Sequence, residues 1–238
     1  MSFFKSLAVL AVMTPVLAVG TAALAYEETT VSDGGTIQGK IVYQGSVPTR
    51  KIITTKDQDV CGGIREEPEI VVGADKGVKD AVVYLVEVAK GKPWPAMEAP
   101  PKLDNIKCVF EPRVQVMPAG ILAVVNSDPV LHNTHGYYGK RTAFNLALPN
   151  KDQALEAELP RPGTVKVDCD AHGWMLGWVY VVDNPYYAIT GEDGSFTIGD
   201  VPPGDYTLVV THEFTGPTEI PVTVAAGAPI DVPVELKK

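Results

Sequence analysis

The sequence predicts a nearly all-β protein with sandwich architecture, and three observations favour this fold class. Apolar side chains make up 45% of the 238 residues, which is enough to bury a substantial core. The 22 Gly and 20 Pro residues are spread along the chain, as is typical of many short strands joined by turns. Short apolar or alternating runs bounded by Gly, Pro, Asn or Asp recur throughout, so long helices are disfavoured.

Residues 1–25 have the pattern of a secretory signal peptide. Lys5 supplies one early positive charge, residues 7–19 are largely apolar, and residues 23–25 form an Ala-x-Ala cleavage site. The alternative, an uncleaved membrane anchor, is disfavoured because Thr14 and Pro15 interrupt a stretch that is already short for a bilayer. We therefore expect a periplasmic or otherwise exported mature protein with no stable membrane span.

The charge balance of the chain is acidic. Lys and Arg number 20 against 29 Asp and Glu, which gives a net charge of −9. Cleavage after residue 25 would remove Lys5 as the only charged side chain, and the mature charge would become 19 − 29 = −10. Nucleic acid is not an expected partner because backbone binding depends on basic side chains, whereas a basic protein partner fits.

The predicted elements follow in order from local patterns. Residues 26–35 are polar and predict a loose leader, and the proline-rich segment between Lys90 and Lys102 predicts a surface crossing. Strands are predicted at 36–43, 81–86, 113–116, 121–125, 164–167 and 178–182. Residues 152–159 alone have helical composition, and this segment is short enough to be a strand or a loop instead.

From about residue 184 the sequence pattern changes and predicts a second, small β unit. It resembles the carboxypeptidase regulatory-like module, a transthyretin-like β-sandwich with the pattern D-G-x-F followed by P-P-G-x-Y-x-L. The matching residues are Asp193, Gly194, Phe196, Pro202, Pro203, Gly204, Tyr206 and Leu208. The resemblance implies a fold and no chemistry. Segments 39–43 and 81–84 suit the first strands of such a sandwich, so the N-terminal strands complete either this unit or the middle domain.

The three cysteines are informative because disulfides persist in exported proteins and an odd thiol there needs a reason to exist. Cys61 and Cys108 have no His or other Cys close by in the sequence. Cys169, in contrast, lies beside His172 and Met175. We therefore predict a disulfide between Cys61 and Cys108, with Cys169 left as a thiolate.

Cys169, His172 and Met175 are spaced three residues apart and combine three soft or borderline metal ligands. A strand would place Cys169 and His172 on opposite faces, so their convergence requires a loop after strand 164–167, which Gly173 permits. Thiolate, imidazole and thioether together suit copper, and a weak axial Met is typical of blue-copper sites. Zinc would use the Cys and His but not the Met.

Trigonal copper ligation needs a second imidazole, and the chain has four histidines, His132, His135, His172 and His212. The segment after strand 121–125 resembles the first ligand segment of cupredoxins, N-x-D-x-x-x-H-N. That motif is matched by Asn126, Asp128, His132 and Asn133, and an upstream cupredoxin pattern is matched by Phe110, Pro112 and Gly120. The resemblance implies a Greek-key cupredoxin sandwich in which His132, Cys169, His172 and Met175 bind one copper ion.

The implied domains are a signal peptide at 1–25, an N-terminal β segment at 26–104, a copper domain at 105–183 and the carboxypeptidase regulatory-like unit at 184–238. The whole chain is similar to exported plastocyanin-like proteins that are often labelled methylamine utilization proteins.

The loop that carries Cys169 and His172 departs from amicyanin-type loops, because Ala171 stands where they have Pro and Asp170 places a carboxylate beside the thiolate. His135 is interpreted as a solvated loop residue, the alternatives being a group that supports a copper ligand or a ligand to another metal, and His212 as a surface or hydrogen-bonding residue.

The favoured function is a non-enzymatic electron carrier in which one copper ion cycles between Cu(I) and Cu(II). We expect His172 to be the exposed edge that gives a redox partner its route to the copper, and the acidic surface to steer a basic partner such as a cytochrome or dehydrogenase. One alternative is a copper-holding or delivery protein, although the mature chain has only Met97, Met117 and Met175. Another is a surface assembly module with incidental copper. A multicopper oxidase would need more imidazoles than four.

Overall fold

The computed structural model describes residues 26–238, and the predicted signal peptide lies outside these described residues. The described chain is all-β apart from one short helix, α1 (Gln58–Cys61). In residues 26–238 no helix is long and apolar enough to cross a membrane.

The strands form several sheets. In chain order they are β1 (Glu27–Glu28), β2 (Gly35–Tyr43), β3 (Thr49–Ile52), β4 (Arg65–Pro68), β5 (Val82–Val86), β6 (Lys90–Gly91), β7 (Lys102–Ile106), β8 (Val109–Glu111), β9 (Val114–Pro118), β10 (Gly120–Asn126), β11 (His132–Tyr138), β12 (Arg141–Leu148), β13 (Gln153–Leu159), β14 (Gly163–Cys169), β15 (Leu176–Val182), β16 (Tyr187–Ile189), β17 (Ser195–Val201), β18 (Gly204–His212), β19 (Gly216–Val224), β20 (Pro229–Asp231) and β21 (Val234–Leu236).

The middle of the chain builds what we call the middle sandwich. One sheet has the order β13-β10-β7-β8 and the other the order β12-β11-β14-β15-β9. Side chains from both sheets share one hydrophobic cluster, which includes Leu122, Leu148, Val167 and Val179. Alternation along each strand sends these residues inward because successive side chains point to opposite faces of a sheet. This cluster also contains Cys169 and Met175.

The remaining long strands build what we call the split sandwich, because its strands come from both ends of the described chain. One sheet has the order β16-β5-β18-β19, and in the other β2 lies between β17 and the short strands β20 and β21. Gly39 on β2 is paired with Phe196, and Val83 on β5 is paired with Val210. The N-terminal strands β2 and β5, whose allocation the sequence left open, therefore pair within this unit.

The turn before β17 shows why its sequence is restrictive. Gly194 has a φ of 75°, in the left-handed region that favours glycine. A Cβ at this position would lie 2.3 Å from the carbonyl oxygen of Ile41. The glycine of the Asp193–Gly194 pair thus also allows β2 to approach closely.

The two sandwiches meet along β9, β15 and β5. Val82, Val114 and Tyr180 form a small buried cluster at this junction. The guanidinium group of Arg113 forms an ion pair with the carboxylate of Glu213, whose side chain is buried. Apolar packing and a largely buried ion pair therefore connect the split sandwich to the sheet that carries Cys169.

Two segments differ from the simplest interpretation of the sequence. Residues 153–159 form a strand, β13, which pairs with β10 along seven residues, so sheet pairing overrides helical composition. The leader was expected to be loose, but its residues 27–28 pair with β6. The hydroxyl group of Tyr26 donates a hydrogen bond to the carbonyl oxygen of Lys92 at 2.6 Å, and these contacts anchor the start of the described chain.

Candidate metal centre

The candidate ligands lie at one end of the middle sandwich. His132 begins β11 and Cys169 ends β14, and these antiparallel neighbours place Thr134 opposite Cys169. His172 and Met175 follow in the loop between β14 and β15. Backbone hydrogen bonds close this loop, from His172 N–H to Cys169 C=O at 3.2 Å and from Met175 N–H to His172 C=O at 2.9 Å. Two paired strands and one tight loop therefore position the ligands.

Three of the four predicted ligands bring their donor atoms together. Sγ of Cys169 lies 3.7 Å from Nδ1 of His132 and 3.8 Å from Nδ1 of His172. The two Nδ1 atoms are 3.1 Å apart. His132 and His172 are fully buried and Cys169 is 1% exposed. These three atoms form what we call the donor triangle.

The donor triangle fits a single metal ion. Metal–nitrogen distances of about 2.0 Å and metal–sulfur distances of about 2.3 Å place two donors on the same ion roughly 3 to 4 Å apart. The three observed separations lie in that range. Two imidazoles and a thiolate with a neighbouring thioether are the donors that copper accepts.

Met175 is buried, at 2% exposure, in the same hydrophobic cluster as Cys169. It follows His172 by one hydrogen-bonded turn, so the loop brings the thioether to the same end of the sandwich. Met175 is therefore retained as the fourth candidate ligand.

The second ring nitrogen of each imidazole contacts a carboxylate. Nε2 of His132 lies 3.0 Å from Oδ2 of Asp128, and Nε2 of His172 lies 3.0 Å from Oδ2 of Asp57. A carboxylate accepts a hydrogen bond, so these contacts favour the tautomer with its proton on Nε2, which leaves Nδ1 as the nitrogen that can bind a metal. Carboxylate partners of this kind orient metal-binding histidines and raise their basicity.

The residues of the cupredoxin-like motif shape the chain before His132. The Asn126 side-chain amide donates to the carbonyl oxygens of Val130 and Leu148, both at 2.9 Å. The Asp128 carboxylate also accepts backbone hydrogen bonds from Lys107 at 2.7 Å and Cys108 at 2.9 Å. Asn126 and Asp128 therefore determine how the chain enters β11 and hold the His132 ring.

Burial shifts the pKa values of two residues of the donor triangle, Cys169 and His132. Burial raises the pKa of the Cys169 thiol, and a hydrogen bond from the Asn133 backbone opposes this effect. Burial likewise lowers the pKa of His132, against the opposing effect of its hydrogen bond to Asp128. A buried, neutral imidazole is the form that binds a metal.

The disulfide expected from the sequence is present and borders the site. Cys61, the last residue of α1, is bonded to Cys108 between β7 and β8, which lies 47 positions further along the chain. The sulfur atoms of both cysteines and a ring nitrogen of His172 all lie within 4.8 Å of one another. The disulfide therefore attaches the N-terminal segment directly to the metal site, and Cys169 is the free cysteine.

The expectation that His172 has an exposed edge is wrong. The His172 side chain is fully buried, because the segment that includes Asp57 lies against it. Its ring also contacts Trp174, with 5.1 Å between the ring centroids. The sequence gives no sign of the Asp57 contact, since the two residues are 115 positions apart and Asp57 belongs to no recognisable motif.

His135 and His212 are more buried than a solvated loop or a surface position implies, although His212 does accept a hydrogen bond. His135 lies on β11 rather than in a loop, and its side chain is 13% exposed. Nδ1 of His135 lies 3.0 Å from Oδ2 of Asp170 and its Nε2 lies 2.9 Å from Oγ1 of Thr142. His135 is thus outside the donor triangle but contacts the residue that follows Cys169. His212 is buried, at 1% exposure, near the junction of the two sandwiches.

Comparison with known proteins gives two kinds of similarity. The carboxypeptidase regulatory-like domain model matches residues 179–237, from the middle of β15 to the end of β21. Among solved structures, a reduced amicyanin mutant is 22% identical over 37% of this chain and 86% of its own, with a TM-score of 0.33. No curated protein matches this sequence.

Two further solved structures are similar at the same level. A purple cupredoxin from Nitrosopumilus maritimus is 22% identical over 34% of this chain and 99% of its own, with a TM-score of 0.32. A Cu-containing nitrite reductase from Thermus scotoductus SA-01 is 18% identical over 39% of this chain and 26% of its own, with a TM-score of 0.32. The matched residues 179–237 include β16 to β21, which are most of the strands of the split sandwich.

Proposed function

We propose that this protein is an exported mononuclear copper protein that carries electrons to or from a redox partner. The observation that carries the proposal is the donor triangle, in which a thiol and two imidazole Nδ1 atoms converge within 3.8 Å in a buried site. His132, Cys169 and His172 would hold the ion, with Met175 as a weak fourth ligand. Bound copper would supply one-electron chemistry by cycling between Cu(II) and Cu(I).

The residues around the triangle support rapid exchange of one electron. A ligand set that changes little between the two oxidation states needs rigid supports. Here β11 and β14 fix His132 and Cys169, and the hydrogen-bonded loop fixes His172. Asp128 holds the His132 ring at Nε2. Because these groups are set before the metal binds, little reorganisation would accompany electron transfer.

A basic partner fits the exposed carboxylate beside Cys169 and the net negative charge of the chain. Asp170 is joined to Cys169 through the backbone, and its side chain is 47% exposed. A docking face at Asp170 would bring a cytochrome or dehydrogenase close to the thiolate, and the mature charge of 19 − 29 = −10 would steer it by a salt-dependent attraction. His172 is covered, so its edge does not provide that face.

Copper delivery is the less favoured alternative. The three donor residues are at most 1% exposed, so a recipient has no direct access to the ion. Redox cycling separates the two functions in the mature chain loaded with Cu(II). A carrier reduced by ascorbate should be reoxidised repeatedly with its copper retained. Transfer of Cu(I) to a competing chelator of modest affinity in the first cycle would support delivery and contradict the carrier.

A further inference from the structure

The segment from Thr54 to Cys61, which we call the cap, lies outside the sheets of the middle sandwich but covers the His172 ring. It is internally fixed by hydrogen bonds, from Thr54 Oγ1 to Gly62 C=O at 2.8 Å and from Gln58 Nε2 to Thr54 C=O at 2.8 Å. Its other anchor is the disulfide from Cys61 to Cys108. The cap is therefore a fixed part of the metal centre.

Asp57 is the residue of the cap that reaches the metal centre. It occupies the N-cap position of α1, where an Asp side chain usually accepts a hydrogen bond from the helix, but it makes no such bond. Its carboxylate instead contacts Nε2 of His172 at 3.0 Å. The Asp57 side chain is itself 35% exposed, and the other acidic residue of the cap, Asp59, is also exposed to solvent. The orientation of Asp57 is therefore not explained by helix capping.

The contact has two physical consequences at His172. By accepting a hydrogen bond from Nε2, Asp57 favours the tautomer whose Nδ1 lone pair points at Cys169. The negative charge of the carboxylate also favours the more positive ion, Cu(II), over Cu(I). Asp128 acts on His132 in the same way, but Asp128 belongs to the middle sandwich whereas Asp57 is brought from outside it.

We propose that Asp57 is a positioning residue of the copper centre, which holds His172 in its metal-binding tautomer and stabilises Cu(II). This inference rests on the proposed copper function. It assigns a role to the N-terminal segment, because the cap and its disulfide hold the Asp57 carboxylate against the His172 imidazole. Without the cap, His172 would be the exposed ligand. The reduction potential is then set partly by a residue outside the ligand loop.

Two substitutions separate the charge of Asp57 from its hydrogen bond. Asp57→Asn keeps an acceptor oxygen and removes the charge, whereas Asp57→Ala removes both. Asp59→Asn and Asp59→Ala are the matched controls on the same helix. The reduction potential and Cu(II) affinity are measured on the copper-loaded mature chain, and the tautomer of His172 is measured by ¹⁵N NMR on the metal-free protein.

We expect both Asp57 variants to raise the reduction potential and both Asp59 variants to leave it unchanged. A tenfold loss of preference for Cu(II) over Cu(I) corresponds to a rise of about 59 mV. Asp57→Ala should also weaken Cu(II) binding by about 10-fold or more. In the metal-free protein, wild-type His172 should carry its proton on Nε2, and Asp57→Ala should shift it toward a mixture of tautomers.

Failure of this inference and failure of the copper function give different results. If the wild type has the thiolate-to-copper band but the Asp57 and Asp59 variants have equal potentials, Asp57 has no positioning role. Absence of the band in the wild type contradicts the proposed function instead. The NMR measurement needs no copper, and an unchanged His172 tautomer in Asp57→Ala overturns the inference in either case. Retention of the His132 signals shows that the variant is folded.

Discussion

The backbone N–H of Asn133 donates a hydrogen bond to Sγ of Cys169 at 3.4 Å. The strand that carries one imidazole thus also supports the sulfur atom on the neighbouring strand. A hydrogen bond to sulfur favours the thiolate, which is the form that binds metal, and it opposes the effect of burial on the pKa of this thiol. The register between β11 and β14 therefore contributes to the chemistry of the site.

Cys169→Ser should abolish the visible band of the copper-loaded protein. A thiolate-to-copper charge-transfer band requires the thiolate, and Cys169 is the free cysteine of the described chain. Ser occupies a similar volume, so the pairing of β14 with β11 should persist and the far-UV circular dichroism should remain that of a β protein. Survival of the colour in this variant would show that the assignment of the site is wrong.

His132→Gln and His135→Gln form a matched pair on the same strand. His132 provides one corner of the donor triangle, whereas His135 contacts Asp170 and Thr142 outside it. We expect His132→Gln to lose the band and most of its Cu(II) affinity, and His135→Gln to keep both. Titration with Cu(II), monitored by visible absorption, measures the two effects. Equal losses in the two variants would place His135 among the ligands.

Much of the metal centre can be predicted from the sequence because its parts are local. Cys169, His172 and Met175 share one loop, and His132 follows Asn126 in a recognisable motif. The contacts of the cap cannot be found this way, since Asp57 reaches His172 across 115 positions of the chain. Burial of His172 follows from that long-range contact, and a sequence motif contains no information about it.

In the fold, too, the positions of strands could be predicted from local patterns, whereas their pairing could not. Short apolar or partly alternating runs predicted the strands at 36–43, 121–125 and 164–167, and the structure has β2, β10 and β14 there. The pairing of β2 with β17 and of β5 with β18 joins residues far apart in the sequence, so it could not be decided from local patterns. The segment at 153–159 became a strand because β10 offers it a full register of partners.

Met175→Leu should keep copper and colour but raise the reduction potential. A weak axial thioether tunes the potential more than it retains the ion, and its loss leaves a more apolar site that disfavours Cu(II). Leu is close to Met in volume, so the buried position, 2% exposed, should tolerate it. Voltammetry and metal analysis of the purified variant test this. Complete loss of copper would favour a Met-dependent holding site over a carrier.

His212 is a buried residue outside the metal centre, and its titration affects the stability of the fold. Burial lowers its pKa to about 4, helped by the nearby positive charge of Arg113 and opposed by Asp80. Nδ1 of His212 accepts a hydrogen bond from the backbone of Phe214 at 3.1 Å, which requires the unprotonated nitrogen. Oε2 of Glu213 lies 3.3 Å from this nitrogen and favours protonation, but burial and Arg113 outweigh that contact. The folded protein therefore holds His212 neutral.

We expect His212 to make the wild type less stable in acid, and His212→Asn to remove that contribution. The unfolded chain binds a proton near pH 6.5, whereas the folded chain binds it only near pH 4. The contribution of neutral His212 to the free energy of unfolding is therefore fully present above pH 6.5. This contribution falls by about 3 kcal/mol as the pH falls toward 4. Asn can accept the Phe214 hydrogen bond without titrating. Urea unfolding at several pH values should show the wild type losing stability relative to the variant below pH 6.5, and parallel profiles would contradict a neutral buried His212.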